Sequence, residues 1–332
     1  MPEQTSPAIT DLTAAQISDL GTKIMESVQT VVVGMDQPLR VALAAILSGG
    51  HILFEDVPGL GKTLVAKSLA QALGLDFARL QCTPDLLPSD ITGGSIFNPV
   101  TRAFEVRRGP IFTGLFLADE INRTAPKTQS ALLEAMAEQQ VTIDGQTFAL
   151  PQPFHVLATS NPVEFEGTYP LPEAQLDRFM VRISVGYPGT ESEIEILQRR
   201  LARRTQEASV SRVTDPHTLI RMAHGTELVH VDQDIVRYCV DIVESTRAHS
   251  AVEVGASPRG SQALLLLARA YAVLAGRDYV VPEDVKAVAI AGLAHRLTLT
   301  PTAWASGAST VGIIQGILNS VPGPVTVPAA QV

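Results

Sequence analysis

The stretch EDVPGLGKT, residues 55–63, stands between an apolar run, HILFE (51–55), and a segment of helical spacing, TLVAKSLAQAL (63–73). Few folds are open to a chain carrying this unit, because a strand must end on glycines that turn the backbone straight into a helix. Gly59 and Gly61 let the main chain curl so that successive N–H groups point inward. Those amides, with the positive helix N-terminus, form a cradle for the β-phosphate of a nucleotide. Lys62 then reaches toward the β- and γ-phosphates, and the Thr63 hydroxyl is a ligand for Mg²⁺. Pro58, Gly59, Leu60, Gly61, Lys62, Thr63 and Leu64 form the candidate nucleotide-binding run. Its first position, usually Gly, is Asp56. Two readings of that carboxylate stay open: it points into solvent, or it weakens the hold on phosphates.

A second element supports the first. In LFLADE (115–120) four apolar residues drive a strand into a sheet, and two carboxylates emerge at its C-terminal end. Ligands of open α/β sheets bind at that end. Asp119 is the candidate metal ligand, and Glu120 the group that orients and deprotonates an attacking water. A third strand, HVLAT (155–159), runs into Ser160-Asn161-Pro162, which puts the Asn161 amide where it can hydrogen-bond that water and the γ-phosphate. MVRISV (180–185) is a further strand candidate and FARLQ (77–81) a weaker one.

Strands alternating with helical patterns imply a parallel sheet with helices on both faces. After Tyr187-Pro188-Gly189 the strand signals fade and helices dominate, with starts at Thr190-Glu191-Ser192-Glu193, Ser257-Pro258 and Val281-Pro282. The organisation reads as an N-terminal arm (1–20), an α/β nucleotide-binding core (21–187), a smaller helical domain (188–320) and a Pro-rich tail (321–332). Two hairpins interrupt the core. Residues 91–109 run in period-2 pattern around Asn98-Pro99, and 141–150 contain Asp144-Gly145, a type I′ turn signal. Each is either sheet decoration or a loop that touches a partner. Arg102, Arg107 and Arg108 make the first a candidate for contacting an acidic segment. Arg199, Arg200, Arg203 and Arg204 follow Glu191, Glu193 and Glu195, so that cluster suits a helix dipole. Trp304 is expected to pack.

Composition narrows the function classes. Of 332 residues 45% are hydrophobic and 18% charged, which excludes a disordered chain. Lys plus Arg is 25 against Asp plus Glu 34, a net charge of −9, so bulk binding of nucleic acid or anionic membrane is not expected. Two cysteines, Cys82 and Cys239, far apart, form no disulfide framework and no metal spacing. Without a membrane span or secretory pattern, a cytoplasmic protein is expected. No N-K-x-D motif for guanine occurs.

With GLGKT, LADEINR, ATSNP, TYPLPEAQLDRF and GASPRG in this order, the chain resembles the MoxR family of AAA+ ATPases from about residue 31 to 299. The resemblance implies a P-loop AAA+ core with a five-stranded parallel sheet and a smaller all-α lid domain. It implies ATP and Mg²⁺ as cofactors. Arg178, in LDRF, matches the arginine finger that enters the neighbouring subunit's site, against the alternative of an Arg at a helix C-terminus. Arg259, in SPRG, matches sensor 2; as a cation at a helix N-terminus it needs a partner, which the γ-phosphate of its own cleft would supply. Asn161 matches sensor 1, and Gln81 resembles the polar residue that restrains the catalytic Glu. Val33 and Gly34 lie where such proteins pack the adenine, and the 91–109 hairpin resembles an insert facing a central pore. Ser160 stands where Gln is usual. The family's likeness extends to a homo-oligomeric ring, expected to be a hexamer, which remodels a protein client. It extends also to maturation or metal-cofactor insertion and to a partner holding a von Willebrand A domain. Two other functions stay open: a nucleic-acid-stimulated motor, and an ATP-gated scaffold with little turnover, the latter favoured only by Asp56.

Overall fold

The computed structural model describes residues 11–162, 168–205 and 209–324. The chain begins with α1 (Ala14–Gln29) and α2 (Asp36–Leu47), then β1 (Ile52–Glu55), α3 (Lys62–Leu73) and β2 (Phe77–Gln81). A short α4 (Pro88–Thr92) leads into the hairpin β3 (Gly93–Asn98) and β4 (Ala103–Arg108). After β5 (Leu115–Asp119) and α5 (Pro126–Glu138) comes the hairpin β6 (Gln140–Ile143) and β7 (Gln146–Ala149). The core closes with β8 (His155–Ser160), α6 (Glu173–Leu176) and β9 (Val181–Ile183). The rest is α7 (Thr190–Arg203), α8 (Pro216–Glu227), α9 (Gln233–Ala248), β10 (Val252–Val254), α10 (Pro258–Leu274), α11 (Pro282–Leu293), β11 (Thr298–Leu299), α12 (Pro301–Ala305) and α13 (Thr310–Ser320).

Five strands form one parallel sheet in the order β2-β5-β8-β1-β9, the five that the apolar runs mark. Successive residues of a strand point to opposite faces, and here they divide between two clusters. Ile52, Phe54, Leu115, Leu117 and Leu157 join one, while Leu53, Phe116, Ala118, Val156 and Ala158 join the other. A strand buried on both faces is why these segments are apolar throughout rather than alternating. The first cluster continues without a break into α8–α11 and α13, so the lid shares a core with one face of the sheet. An antiparallel pair of β10 and β11 and an isolated bridge between His230 and Tyr279 depart from an all-helical lid.

Three sequence expectations change. Residues 14–20, assigned to the arm, form the first turns of α1; Thr13 and Gln16 close a capping box, and Ile17, Ile24 and Val28 are fully buried against the core. The apolar spacing across that stretch builds a packed face from α3 to α10. The rest of the arm up to residue 10, and the tail from 325, lie outside the described residues. The box expected from Thr190 and Glu193 does not form, because Gly189 is the N-cap and supplies no side chain. Trp304 is 76% exposed rather than packed.

The hairpins follow their turn chemistry. Asp144 and Gly145 both take positive φ, 48° and 80°, as a type I′ turn demands. Asn98 Oδ1 accepts from the Val100 and Thr101 amides and so shapes the turn of the first hairpin. Residues 91–92 of that expected hairpin are the last turn of α4.

Candidate functional site

β1 ends at Glu55, and the chain crosses the top of the sheet before α3 starts at Lys62. Gly59 and Gly61 hold φ of 86° and 81°, values that strain any side-chain-bearing residue. The curl they permit borders a cleft of about 200 Å³ lined by Pro58, Gly59, Gly61, Lys62, Thr63 and, opposite, Asp119, Glu120 and Asn161. Three strand ends and one helix start therefore meet at the C-terminal edge of the sheet, where the run, the acid pair and the amide were expected. Burial lowers the pKa of the Lys62 ammonium, with Asp56 and Asp119 opposing the shift. Its Nζ donates to the Asp56 carbonyl at 2.7 Å.

The Asp56 side chain turns away from solvent, against the first reading of its sequence position. Its carboxylate is buried and accepts from Ser184 Oγ at 3.2 Å, from the Gly186 amide at 3.0 Å and from the Val185 amide. It therefore faces neither solvent nor the cleft, and ties the start of the loop to the segment after β9. A carboxylate there finds three donors that a Gly would leave unmet.

The acid pair is held by its neighbours. Thr159 Oγ1 donates to Asp119 Oδ1 at 2.6 Å and accepts from the Glu120 amide at 2.7 Å. Glu120 sits at φ 58° and ψ 52°, a left-handed conformation uncommon for a residue with a side chain. Thr63 Oγ1 lies 3.3 Å from Asp119 Oδ2, which puts the two expected metal ligands side by side. Glu120 Oε2 accepts from Gln81 Nε2 at 2.7 Å and from Arg123 Nη1 at 3.0 Å. Asn161 is buried, and the Asn122 side chain holds its main chain, donating from Nδ2 to the Asn161 backbone carbonyl and accepting at Oδ1 from the backbone N–H. Sequence reading missed Thr159, Arg79 and Arg123; only their nearness to recognised motif residues hinted at them.

Val33 is buried, and Gly34 holds φ 73° close to Ser192 of α7. Neither lines that cleft, but the Met35 methyl lies 3.9 Å from where a Cβ on Gly61 would stand, so the Val33-Gly34 turn adjoins it.

The two arginines lie elsewhere. Arg178 and Arg259 line a second cavity of about 310 Å³ with Gly49, Gly50 and His51, the residues that precede β1. That places them at the N-terminal edge of the sheet, about 15 Å of strand rise from the cleft of the same chain. Arg178 donates from Nη1 to the Leu133 carbonyl at 2.7 Å. Arg259 pairs with Asp177 at 3.6 Å. The expectation that Arg259 finds its partner in the γ-phosphate of its own cleft is thus corrected: Asp177 supplies the counter-charge at that helix start. Asp177 also receives Arg296, whose side chain is 3% exposed, and Ser257 Oγ at 3.3 Å, so it pins the lid to the core beside Arg178.

Burial, reinforced by His155, pushes the nearby His51 imidazole down to about 4. His51 Nδ1 accepts from the Val156 amide, which leaves Nε2 to donate to the Met136 carbonyl. Both cysteines are buried thiols raised to about 12 by burial. Among the described residues no group of three His, Cys, Asp or Glu could hold a metal. No helix of the described residues is long and apolar enough to cross a membrane.

Comparison with known proteins bears on the same residues. Residues 51–181 match the model of the ATPase family associated with various cellular activities (AAA), and 244–317 match the AAA lid domain. The chain is 48% identical to the Bacillus subtilis protein YeaC over 91% of this chain and 94% of that one. It is 42% identical to Chaperone MoxR1 of Mycobacterium tuberculosis over 94% of this chain and 84% of that one. A solved structure from Cytophaga hutchinsonii superposes with a TM-score of 0.87 at 42% identity, covering 94% of this chain and 97% of the other.

Proposed function

The chain belongs to the MoxR family of AAA+ ATPases, and from that premise we propose that it is a Mg²⁺-dependent ATP hydrolase that works as a ring on a protein client. The observation that carries the reading is the meeting of Lys62, Thr63, Asp119, Glu120 and Asn161 around one cleft. The donor set suits Mg²⁺, a hard cation commonly held by a hydroxyl, a carboxylate and the substrate's own phosphates. Thr63 and Asp119 offer those two oxygens 3.3 Å apart. When bound, Mg²⁺ would screen the charge of the triphosphate and favour attack at its terminal group.

The residues of the chain divide the remaining work. The amides of 59–63 grip the phosphates at the start of α3, and Lys62 moves from the Asp56 carbonyl to them. Glu120 takes a proton from the attacking water, and Asn161 orients that water. Val33 and Gly34 cover the adenine.

Among the described residues, Lys62 and Arg79 are the only cations lining the cleft. Arg178 and Arg259 sit together on the opposite edge of the sheet. A head-to-tail neighbour brings that edge to the cleft, and such contacts repeat until a ring closes. We assign both arginines to the neighbour's triphosphate, the first as finger and the second as a companion cation. Asp177 keeps the pair in register. A hexamer, a von Willebrand A domain partner, and maturation or cofactor insertion as the task are carried by the likeness to MoxR proteins. Against the scaffold reading stands the engagement of the Asp56 carboxylate with the segment after β9.

The test is complementation. Glu120→Gln and Arg178→Ala proteins are each expected to be nearly inactive, and equal mixtures to regain about a quarter of parent activity, because an intact cleft then meets an intact arginine at one junction in four. Mixtures that stay inactive, although co-purification of differently tagged variants shows mixed rings, would overturn the shared site.

A further inference from the structure

Arg79 lies on the edge strand β2, opposite Leu117 of β5, and its side chain reaches forward to the acid pair. Its Nε and Nη2 donate to Asp119 Oδ2 at 3.1 and 2.7 Å. That oxygen is the one Thr63 faces, and so the one a metal shared by Thr63 and Asp119 would use. The other carboxylate oxygen is occupied by Thr159. Arg79 and a divalent ion therefore compete for the same lone pairs.

The same guanidinium touches the second carboxylate indirectly. Arg79 Nη2 donates to Gln81 Oε1 at 2.8 Å, and Gln81 Nε2 donates to Glu120 Oε2 at 2.7 Å. An arginine can only donate. It therefore sets which end of the Gln81 amide faces it, and so makes Gln81 a donor toward Glu120. With the amide reversed, two donors and two acceptors would face each other.

We propose that Arg79 is a resident cation on Asp119 that, through Gln81, keeps Glu120 tied until Asp119 accepts a divalent ion. This rests on the assignment of Asp119 as metal ligand and Glu120 as base. When Arg79 leaves Asp119 it leaves Gln81 as well, and the amide is free to turn. Glu120 then keeps the contact with Arg123 and can take the water. Loading of the metal site and release of the base become one event, which guards against turnover of an incompletely assembled site.

Three measurements test this, with the full chain, Glu120→Gln added in the binding arms to stop hydrolysis. Binding of a fluorescent ATP analogue in EDTA comes first. Arg79→Ala should leave it within about twofold, since the guanidinium is engaged with Asp119 and not reserved for phosphate. Mn²⁺ binding to the ATP-loaded protein, followed by loss of the free-ion electron paramagnetic signal, should tighten about three- to tenfold in Arg79→Ala, as expected for removing one charge-assisted competitor. Arg79→Lys, which keeps the charge and loses the fork, should fall between. In the Glu120 background, Gln81→Ala and Arg79→Ala should affect turnover non-additively, as members of one chain do. Unchanged or weaker Mn²⁺ binding, a severalfold loss of ATP binding in EDTA, or additive turnover effects would each overturn the proposal. If the parent protein binds no ATP, the assignment of the cleft fails instead.

Discussion

Removing the Asp56 carboxylate gives the sharpest test of the structure. One oxygen, Oδ2, accepts from Ser184 Oγ, the Val185 amide and the Gly186 amide. In Asp56→Ala the Ser184 hydroxyl can rotate to water, but the two amides cannot follow. Each of these half-buried amides left without an acceptor costs about 1–3 kcal/mol, offset in part because a buried carboxylate no longer has to be desolvated. A net loss of about 3 kcal/mol is expected. At about 2–4 °C per kcal/mol for a chain of this class, the melting temperature should drop by about 6–12 °C. Asp56→Asn can place its amide oxygen where Oδ2 stands and keep all three donors, losing only the charge assistance, so it should lose about 1 kcal/mol. Calorimetric unfolding reads both. ATP affinity supplies the second arm: a carboxylate aimed at phosphates would repel them, and its neutralisation would tighten binding about tenfold. Here Asp56→Asn should leave ATP affinity within about twofold, because the charge is turned away. A melting point unmoved by Asp56→Ala, or ATP bound tenfold tighter by Asp56→Asn, would refute the reasoning.

Three further outcomes are expected. Glu120→Gln should keep ATP binding and lower turnover about 10²–10⁴-fold, read by phosphate release at saturating ATP. Arg259→Ala should lower turnover about 10³-fold without changing ATP affinity of the isolated chain, and parent specific activity should rise with protein concentration; an Arg259→Ala chain that binds ATP more weakly as a monomer would put that residue back in its own cleft. Burial holds His51 at about 4, lowers His155 and, with Arg296 beside it, holds His295 at about 3. All three are depressed below the unfolded value near 6.5, so the unfolded chain binds more protons as pH falls, and stability present above about pH 6.5 is lost on going down toward pH 4. Urea midpoints across that range check the sign, and a midpoint that climbs on acidification would contradict it.

Much of the site was legible because its chemistry is local. The curl at Gly59 and Gly61 and the helix that follows need only neighbouring residues, and the apolar run before Asp119 declares a strand buried on both faces. Asp144-Gly145 likewise states its own turn. What was misread depended on partners distant in sequence. Asp56 looked like a charge beside phosphates because its three donors lie some 130 positions away. Arg259 looked like a companion of its own cleft because motif order says nothing about which edge of the sheet a lid helix reaches. Residues 14–20 looked like an arm because their polar surround hid a face that helices distant in sequence, α3, α8 and α10, help complete.

The division has a physical cause. Periodicity, glycine torsions and strand-end carboxylates act through bonds to adjacent residues, so the amino-acid order alone determined the parallel α/β core, the glycine curl before α3 and the acid pair. Where charges go once the chain closes is decided by packing between segments far apart. Only the tertiary structure turned Asp56 to the end of β9, carried Arg178 and Arg259 to the far edge of the sheet, and linked Arg79 to both carboxylates of the cleft.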